Sequence, residues 1–167
     1  MRTIGKAFIA LALTAAFAYA DSADKGIAAF ESGNFQEAVK QFSIAIKENP
    51  KSAFAYGLRG HTYNELGDYS KSIADYTQAI KIDPNHAMAY NNRGNAYSML
   101  GDYGKAIVDW TQAIKINPNH VKAYYNRGRA YGKLGDLKNA TKDARKACEL
   151  GECGMLQILG KNKLIRD

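Results

Sequence analysis

The side chains whose types and spacing could do chemistry are two cysteines, three histidines and a recurring arginine–aspartate couple. Cys148 and Cys153 stand five positions apart. A cysteine nucleophile needs a neighbouring base such as histidine, and no histidine lies near either cysteine in the sequence. A single C-x4-C without further Cys or His is also poor spacing for a metal, so neither a metal nor a cofactor is expected. On a continuous helix, residues five apart hold their Cα atoms too far apart to bridge. Gly151 and Gly154, however, predict that a helix ends near Leu150 and that the chain folds back. A Cys148–Cys153 disulfide is the expectation, worth about 2 kcal/mol by loop closure, with free thiols or intermolecular pairing as the alternatives. His86 and His120 occupy equivalent Pro-Asn-His turns and read as turn residues rather than ligands. Arg59, Arg93 and Arg127 each precede an aspartate by sixteen positions, Asp75, Asp109 and Asp143. This predicts an ion pair joining two helices. No zincin, P-loop, nucleophile-elbow or dinucleotide fingerprint is present, and the chain is read as non-catalytic.

These couples recur because the sequence itself recurs. Residues 53–86 and 87–120 align without a gap at 22 identities in 34 positions, and Pro50, Pro84 and Pro118 mark the same interval. The motif Tyr90-Asn91-Asn92-Arg93-Gly94-Asn95-Ala96-Tyr97 returns as Tyr124-Tyr125-Asn126-Arg127-Gly128-Arg129-Ala130-Tyr131. Within a block, Tyr56–Gly60–Tyr63 and Ser72–Tyr76–Ala79 fall at i, i+4, i+7, one face of a helix. Between them Gly67, Gly101 and Gly135 suit the left-handed residue that closes a first helix. Nine of the eleven tyrosines lie in these columns, which makes them packing residues.

The columns Tyr56, Gly60, Tyr63, Leu66-Gly67, Tyr69, Ser72, Tyr76, Ala79 and Pro84 resemble the tetratricopeptide repeat (TPR) family, as do Tyr90, Gly94, Tyr97, Leu100-Gly101, Tyr103, Ala106, Trp110, Ala113 and Pro118. A fourth block departs late, with Leu137 and Ala144 in aromatic columns and Glu152 where proline is expected. The resemblance implies an all-α fold: a right-handed superhelical solenoid of about four helical hairpins, at residues 21–52, 53–86, 87–120 and 121–154, with a short C-terminal capping helix within 155–167. It further implies a concave face lined by the first helix of each repeat. The partner-binding candidates there are His61, Met88, Asn91, Asn92, Asn95, Lys122, Tyr125, Asn126, Arg129 and Lys133. Asparagine amides can donate to and accept from a peptide backbone, and Tyr125 stands outside the packing columns as an exposed contact. The family's dicarboxylate clamp has only Asn92 and Lys122 in place, while Gly57, His61 and Asn126 depart from it; chaperone-tail recognition by that clamp is not expected.

The first twenty residues have Arg2 and Lys6, an uncharged run from Ala7 to Ala20 and an Ala18-Tyr19-Ala20 ending. They read as a cleavable signal peptide cut after Ala20, too short for a membrane span, which places the protein in a periplasm or outside the cell. The net charge of +7 is unevenly distributed. Residues 21–120 carry 10 basic and 11 acidic side chains, residues 121–167 carry 11 and 5. The expected partner is another protein or peptide segment, an acidic one by charge. The alternatives are a nucleic acid or anionic envelope polymer at the basic end, nucleic acid being the less favoured, or assembly as an accessory subunit through the convex face or cap.

Overall fold

The computed structural model describes residues 18–161, and every regular element in that range is a helix. The predicted signal segment before residue 18 lies outside the described residues. The chain divides into two units, Met1–Asp83 and Pro84–Asp167. The first holds α1 (residues 18–31), α2 (Phe35–Glu48), α3 (Ala53–Glu65) and α4 (Tyr69–Ile82). The second holds α5 (Ala87–Met99), α6 (Tyr103–Ile116), α7 (Val121–Lys133), α8 (Leu137–Glu149) and the short α9 (Gly154–Lys161). The helical-hairpin repeat fold expected from the sequence is present.

Every hairpin turns by the same device. Gly33, Gly67, Gly101 and Gly135 adopt φ of 77°, 74°, 80° and 80°, a left-handed conformation that costs glycine nothing. The next residue then returns its amide to the last turn: Asp68 N–H donates to Tyr63 O at 2.8 Å and Asp102 N–H to Tyr97 O at 2.9 Å. The same aspartate starts the second helix. The Asp102 carboxylate accepts from Lys105 N–H and that of Asp136 from Asn139 N–H, both at 3.1 Å.

Behind the turns, the first three pairs of helices each close around an aromatic side chain set into a glycine notch. A methyl group on Gly94 would meet Trp110 Nε1 at 2.9 Å, and one on Gly60 would meet Tyr76 Cδ2 at 3.4 Å. Gly26 of α1 receives Phe42 of α2 in the same way. Phe42, Tyr76 and Trp110 are thereby fully buried.

The arginine–aspartate couples form as the spacing predicts, and they form inside the protein. Arg59 Nε and Nη2 each donate to Asp75 at 2.7 Å, Arg93 to Asp109 at 2.8 and 2.7 Å, and Arg127 to Asp143 at 2.8 Å twice. The aspartates are only 2–5% exposed. The arginines also reach the hairpin before, where Arg59 Nη1 donates to Ser43 Oγ and Arg127 Nη1 to Thr111 Oγ1, both at 2.9 Å. Tyrosine rings shield the cations. Arg59 lies 5.8 Å from the Tyr56 ring and 6.0 Å from Tyr63, Arg93 5.6 Å from Tyr90, and Arg127 5.7 Å from Tyr124. The hydrogen-bonded carboxylates hold Arg59 and Arg93 above the ordinary guanidinium value despite burial.

Removing one member of such a pair strands the other without its partner. Asp109→Ala is therefore expected to lower unfolding stability by about 3–5 kcal/mol. Lys105→Ala breaks the exposed Lys105–Asp102 pair and is expected to leave stability nearly unchanged. Urea unfolding of the two variants side by side checks the contrast.

Candidate functional site

Within the second unit, α5 and α7 lie side by side and α6 packs on both. Between them opens a cavity of about 410 Å3 lined by Asn95, Ser98, Met99, Tyr103, Trp110, Asn126, Arg129, Ala130 and Lys133. An amide network shapes one wall. Asn95 Oδ1 accepts from Trp110 Nε1 at 3.1 Å and from Asn126 Nδ2 at 2.9 Å, and the indole also donates to Asn91 O at 3.1 Å. With its oxygen occupied twice, the Asn95 side chain lines the cavity. Met99 stands 63% exposed at the edge, and Arg129 and Lys133 are exposed cations beside it. Neither α5 nor α7 carries an aspartate or glutamate, so the lining presents positive charge and amides against an apolar floor. His120, which begins α7, adds no charge at neutral pH. Burial, with Lys122 nearby, holds it below the usual imidazole value.

The sequence-predicted residues divide accordingly. Asn95, Asn126, Arg129 and Lys133 come together around this cavity. Met88 and Lys122 are exposed and Asn92 is half-buried, but none of the three lines it. Asn91 is a correction: it is 4% exposed, with Nδ2 donating to Asn92 Oδ1 at 3.0 Å and Oδ1 enclosed without a partner. Three residues before the core Gly94, its side chain turns inward rather than to solvent. Tyr125 is a second correction. It is half-buried against a cluster of Ala144, Met155 and Leu159, with Arg129 5.8 Å from its ring. The reason is α9, which covers it. His61 belongs to the first unit, where it is exposed and its ring stacks on Phe30 of α1 with centroids 5.0 Å apart. Trp110, Met99 and Tyr103 complete the cavity and were not legible as site residues, since their columns serve packing or turn positions in the repeat.

A second, outer cavity of about 770 Å3 runs along α8 beside α7 and Ile114 of α6. Its cations Lys138, Lys142 and Arg145 fall at i, i+4 and i+7, on one face of the helix. The nearby carboxylates are engaged elsewhere, Asp143 with Arg127 and Glu149 with Lys146. In α6 the same three positions are Gly104, Val108 and Thr111. This stripe was missed in the sequence because it interrupts the repeat rather than following it; comparison of α8 with α6 column by column is the signal that finds it. Cys148 and Cys153 are joined as a disulfide, with Cα atoms 4.0 Å apart. Among the described residues, no group of three or more His, Cys, Asp or Glu is arranged to hold a metal, and no helix is long and apolar enough to cross a membrane.

Comparison with known proteins agrees with this architecture. Family models described as "TPR repeat" and, twice, "Tetratricopeptide repeat" match residues 60–101, 87–120 and 110–142. The crystal structure of MamA is similar at a TM-score of 0.77 and 26% identity, over 79% of this chain and 77% of that one. The Arabidopsis OM64 TPR domain is similar at 0.68 and 29%, over 70% and 96%. The first TPR of Spaghetti (RPAP3), solved bound to the HSP90 peptide SRMEEVD, is similar at 0.63 and 31%, over 65% and 88%. No curated protein matches the chain in sequence.

The chain's single tryptophan sits in the cavity wall. Asn95→Ala removes the shared acceptor and is expected to cost about 1 kcal/mol and to shift Trp110 emission to the red. Emission unchanged by the substitution would separate the indole from this network.

Proposed function

Because the chain belongs to the tetratricopeptide repeat family, we propose that it is a non-catalytic scaffold, working outside the cytoplasm, that holds an acidic segment of another protein against α5 and α7. The observation that carries this reading is the cavity itself: Asn95 and Asn126 amides beside Arg129 and Lys133, over Trp110 and Tyr103, with no carboxylate among the lining residues. Side-chain amides take an extended peptide by its backbone, whatever its sequence. The cations then select for a carboxylate side chain, and Met99 with Tyr103 accepts an apolar neighbour. The peptide bound to the RPAP3 domain, SRMEEVD, combines these two properties. In this chain the cavity's cations, Arg129 and Lys133 on α7, stand outside the family's clamp columns, of which only Asn92 and Lys122 are in place. Export rests on the charged, apolar and small-residue order of residues 1–20.

A specific observation supports a second reading. The Lys138–Lys142–Arg145 stripe faces an outer cavity away from those groove residues, and it suits an extended polyanion. In that case affinity falls steeply with salt, with a log–log slope of roughly −2 to −3 for three cations.

Fluorescence anisotropy with a labelled peptide of alternating glutamate and leucine separates the two. Groove binding predicts that Arg129→Glu with Lys133→Glu weakens the complex by about 10–100-fold, the worth of one or two charge-assisted hydrogen bonds. Reversal of Lys138, Lys142 and Arg145 would leave it intact. An equal affinity for the lysine-for-glutamate peptide would refute the charge selection. Export is checked by N-terminal sequencing of the protein from a bacterial envelope fraction, which should begin at Asp21.

A further inference from the structure

The fourth hairpin lacks the aromatic side chain that fills the other three. Sixteen residues beyond Gly26, Gly60 and Gly94 stand Phe42, Tyr76 and Trp110, but sixteen beyond Gly128 stands Ala144. The notch is nevertheless occupied. A methyl group on Gly128 would collide with Met155 Cε and lie 3.2 Å from its sulfur. Met155, from α9, is 6% exposed, and it packs with Leu159 on Ala144, with Tyr125 and Leu156 alongside. A side chain from outside the hairpin thus replaces the one the repeat has lost. Unbranched and flexible, methionine suits a hole shaped for a ring.

What holds α9 in place is slight. It is an eight-residue helix, far below the length at which helices persist alone. Met155 and Leu159 are its buried anchors, while Ile158 is 55% exposed. The disulfide supplies the rest. Cys148 lies in the last turn of α8, and Cys153 O accepts the first helical hydrogen bond of α9, from Gln157 N–H at 3.1 Å. Between them the chain reverses at Gly151, φ 106°. Both cysteines are partly exposed, within reach of an exchanging thiolate. From α9 the contacts run to the groove: Met155 and Leu159 support Tyr125, Arg129 lies over the Tyr125 ring, and Arg129 lines the cavity.

We propose that α9 is a releasable plug and the Cys148–Cys153 bond its latch, so that reduction frees Met155 from the Gly128 notch and loosens the Tyr125–Arg129 end of the groove. A dithiol performs the step through a mixed disulfide. Its two sulfurs are oxidised to a disulfide, and Cys148 and Cys153 each gain an electron and a proton. The release itself is independent of any ligand; its consequence for binding rests on the groove reading above.

Amide hydrogen exchange of the full chain, oxidised and after dithiothreitol, with reduction confirmed by thiol titration, reads the latch directly. Reduction is expected to speed exchange in residues 155–160 by on the order of ten-fold or more, with a smaller rise around Tyr125 and none in α5 or α6. Met155→Ala, with the bond intact, should reproduce the rise around Tyr125. Unchanged protection of α9 in the reduced protein would overturn the latch. With the glutamate–leucine peptide as probe, reduction and Met155→Ala should each weaken binding about 3–10-fold. Equal or tighter binding would overturn the coupling to the groove. If the oxidised protein does not bind the probe at all, the groove reading fails, and exchange alone still decides the latch.

Discussion

A buried carboxylate facing a half-buried guanidinium is the constraint around which each complete hairpin is arranged. The two charges leave water only if both ends of the pair are matched, and the bidentate geometry at Asp75, Asp109 and Asp143 provides that match. The pairing in turn needs the two helices of a hairpin to approach closely, which the glycine columns permit. It also needs the arginine shielded from solvent, which the neighbouring tyrosine rings accomplish. The tyrosine excess, the small-residue columns and the regular arginines are therefore one requirement seen three ways. The degenerate first hairpin has Lys25 and Gln41 in these columns. There Lys25 pairs with Asp21 at the surface instead, and the glycine–aromatic notch of Gly26 and Phe42 is what it retains.

The fourth hairpin meets a different requirement. A repeat buries its face on the next one, and among the described residues this one is followed by the short α9. At Gly128 the difficulty is doubled, since Ala144 leaves the hairpin's own notch unfilled. Met155 answers both, capping the hairpin and completing its interior. The replacement of uncharged residues by cations along α8 gives this end its charge, with Lys142 where α6 has Val108 and Arg145 where it has Thr111. Loss of the aromatic, gain of charge and arrival of the disulfide-bound helix are thus features of one terminal hairpin.

Much of this was legible in the sequence, and the division has a physical basis. Periodicity reports what every repeat must do, so the helices, the left-handed turn glycines and the sixteen-residue arginine–aspartate interval could be read directly. It is silent on what happens once. That Met155 stands in for an aromatic at Ala144 depends on a contact between segments with no periodic relation. Periodicity also misassigns a column that turns one way in one repeat and another way in the next. Asn91 and Tyr125 share a column, yet Asn91 is enclosed and Tyr125 lies under α9. Trp110 reads as a core residue and is one, at 2% exposure. Its indole edge nonetheless forms part of the cavity wall, because one N–H bond to Asn95 is enough to tie packing to surface.

The charge of the chain can now be placed. Three arginines are paired with internal carboxylates, and among the described residues the exposed cations of the C-terminal end include Lys122, Arg129 and Lys133 on α7 and the outer stripe of α8. Recognition is proposed to fall to the α7 set, beside asparagine amides. Its most direct test is nuclear magnetic resonance of the oxidised protein titrated with the glutamate–leucine peptide, observing the side-chain amides of Asn95 and Asn126 and the Trp110 indole. These three signals are expected to move together and saturate at one affinity. Shifts confined to Lys138, Lys142 and Arg145, with those three signals still, would contradict it.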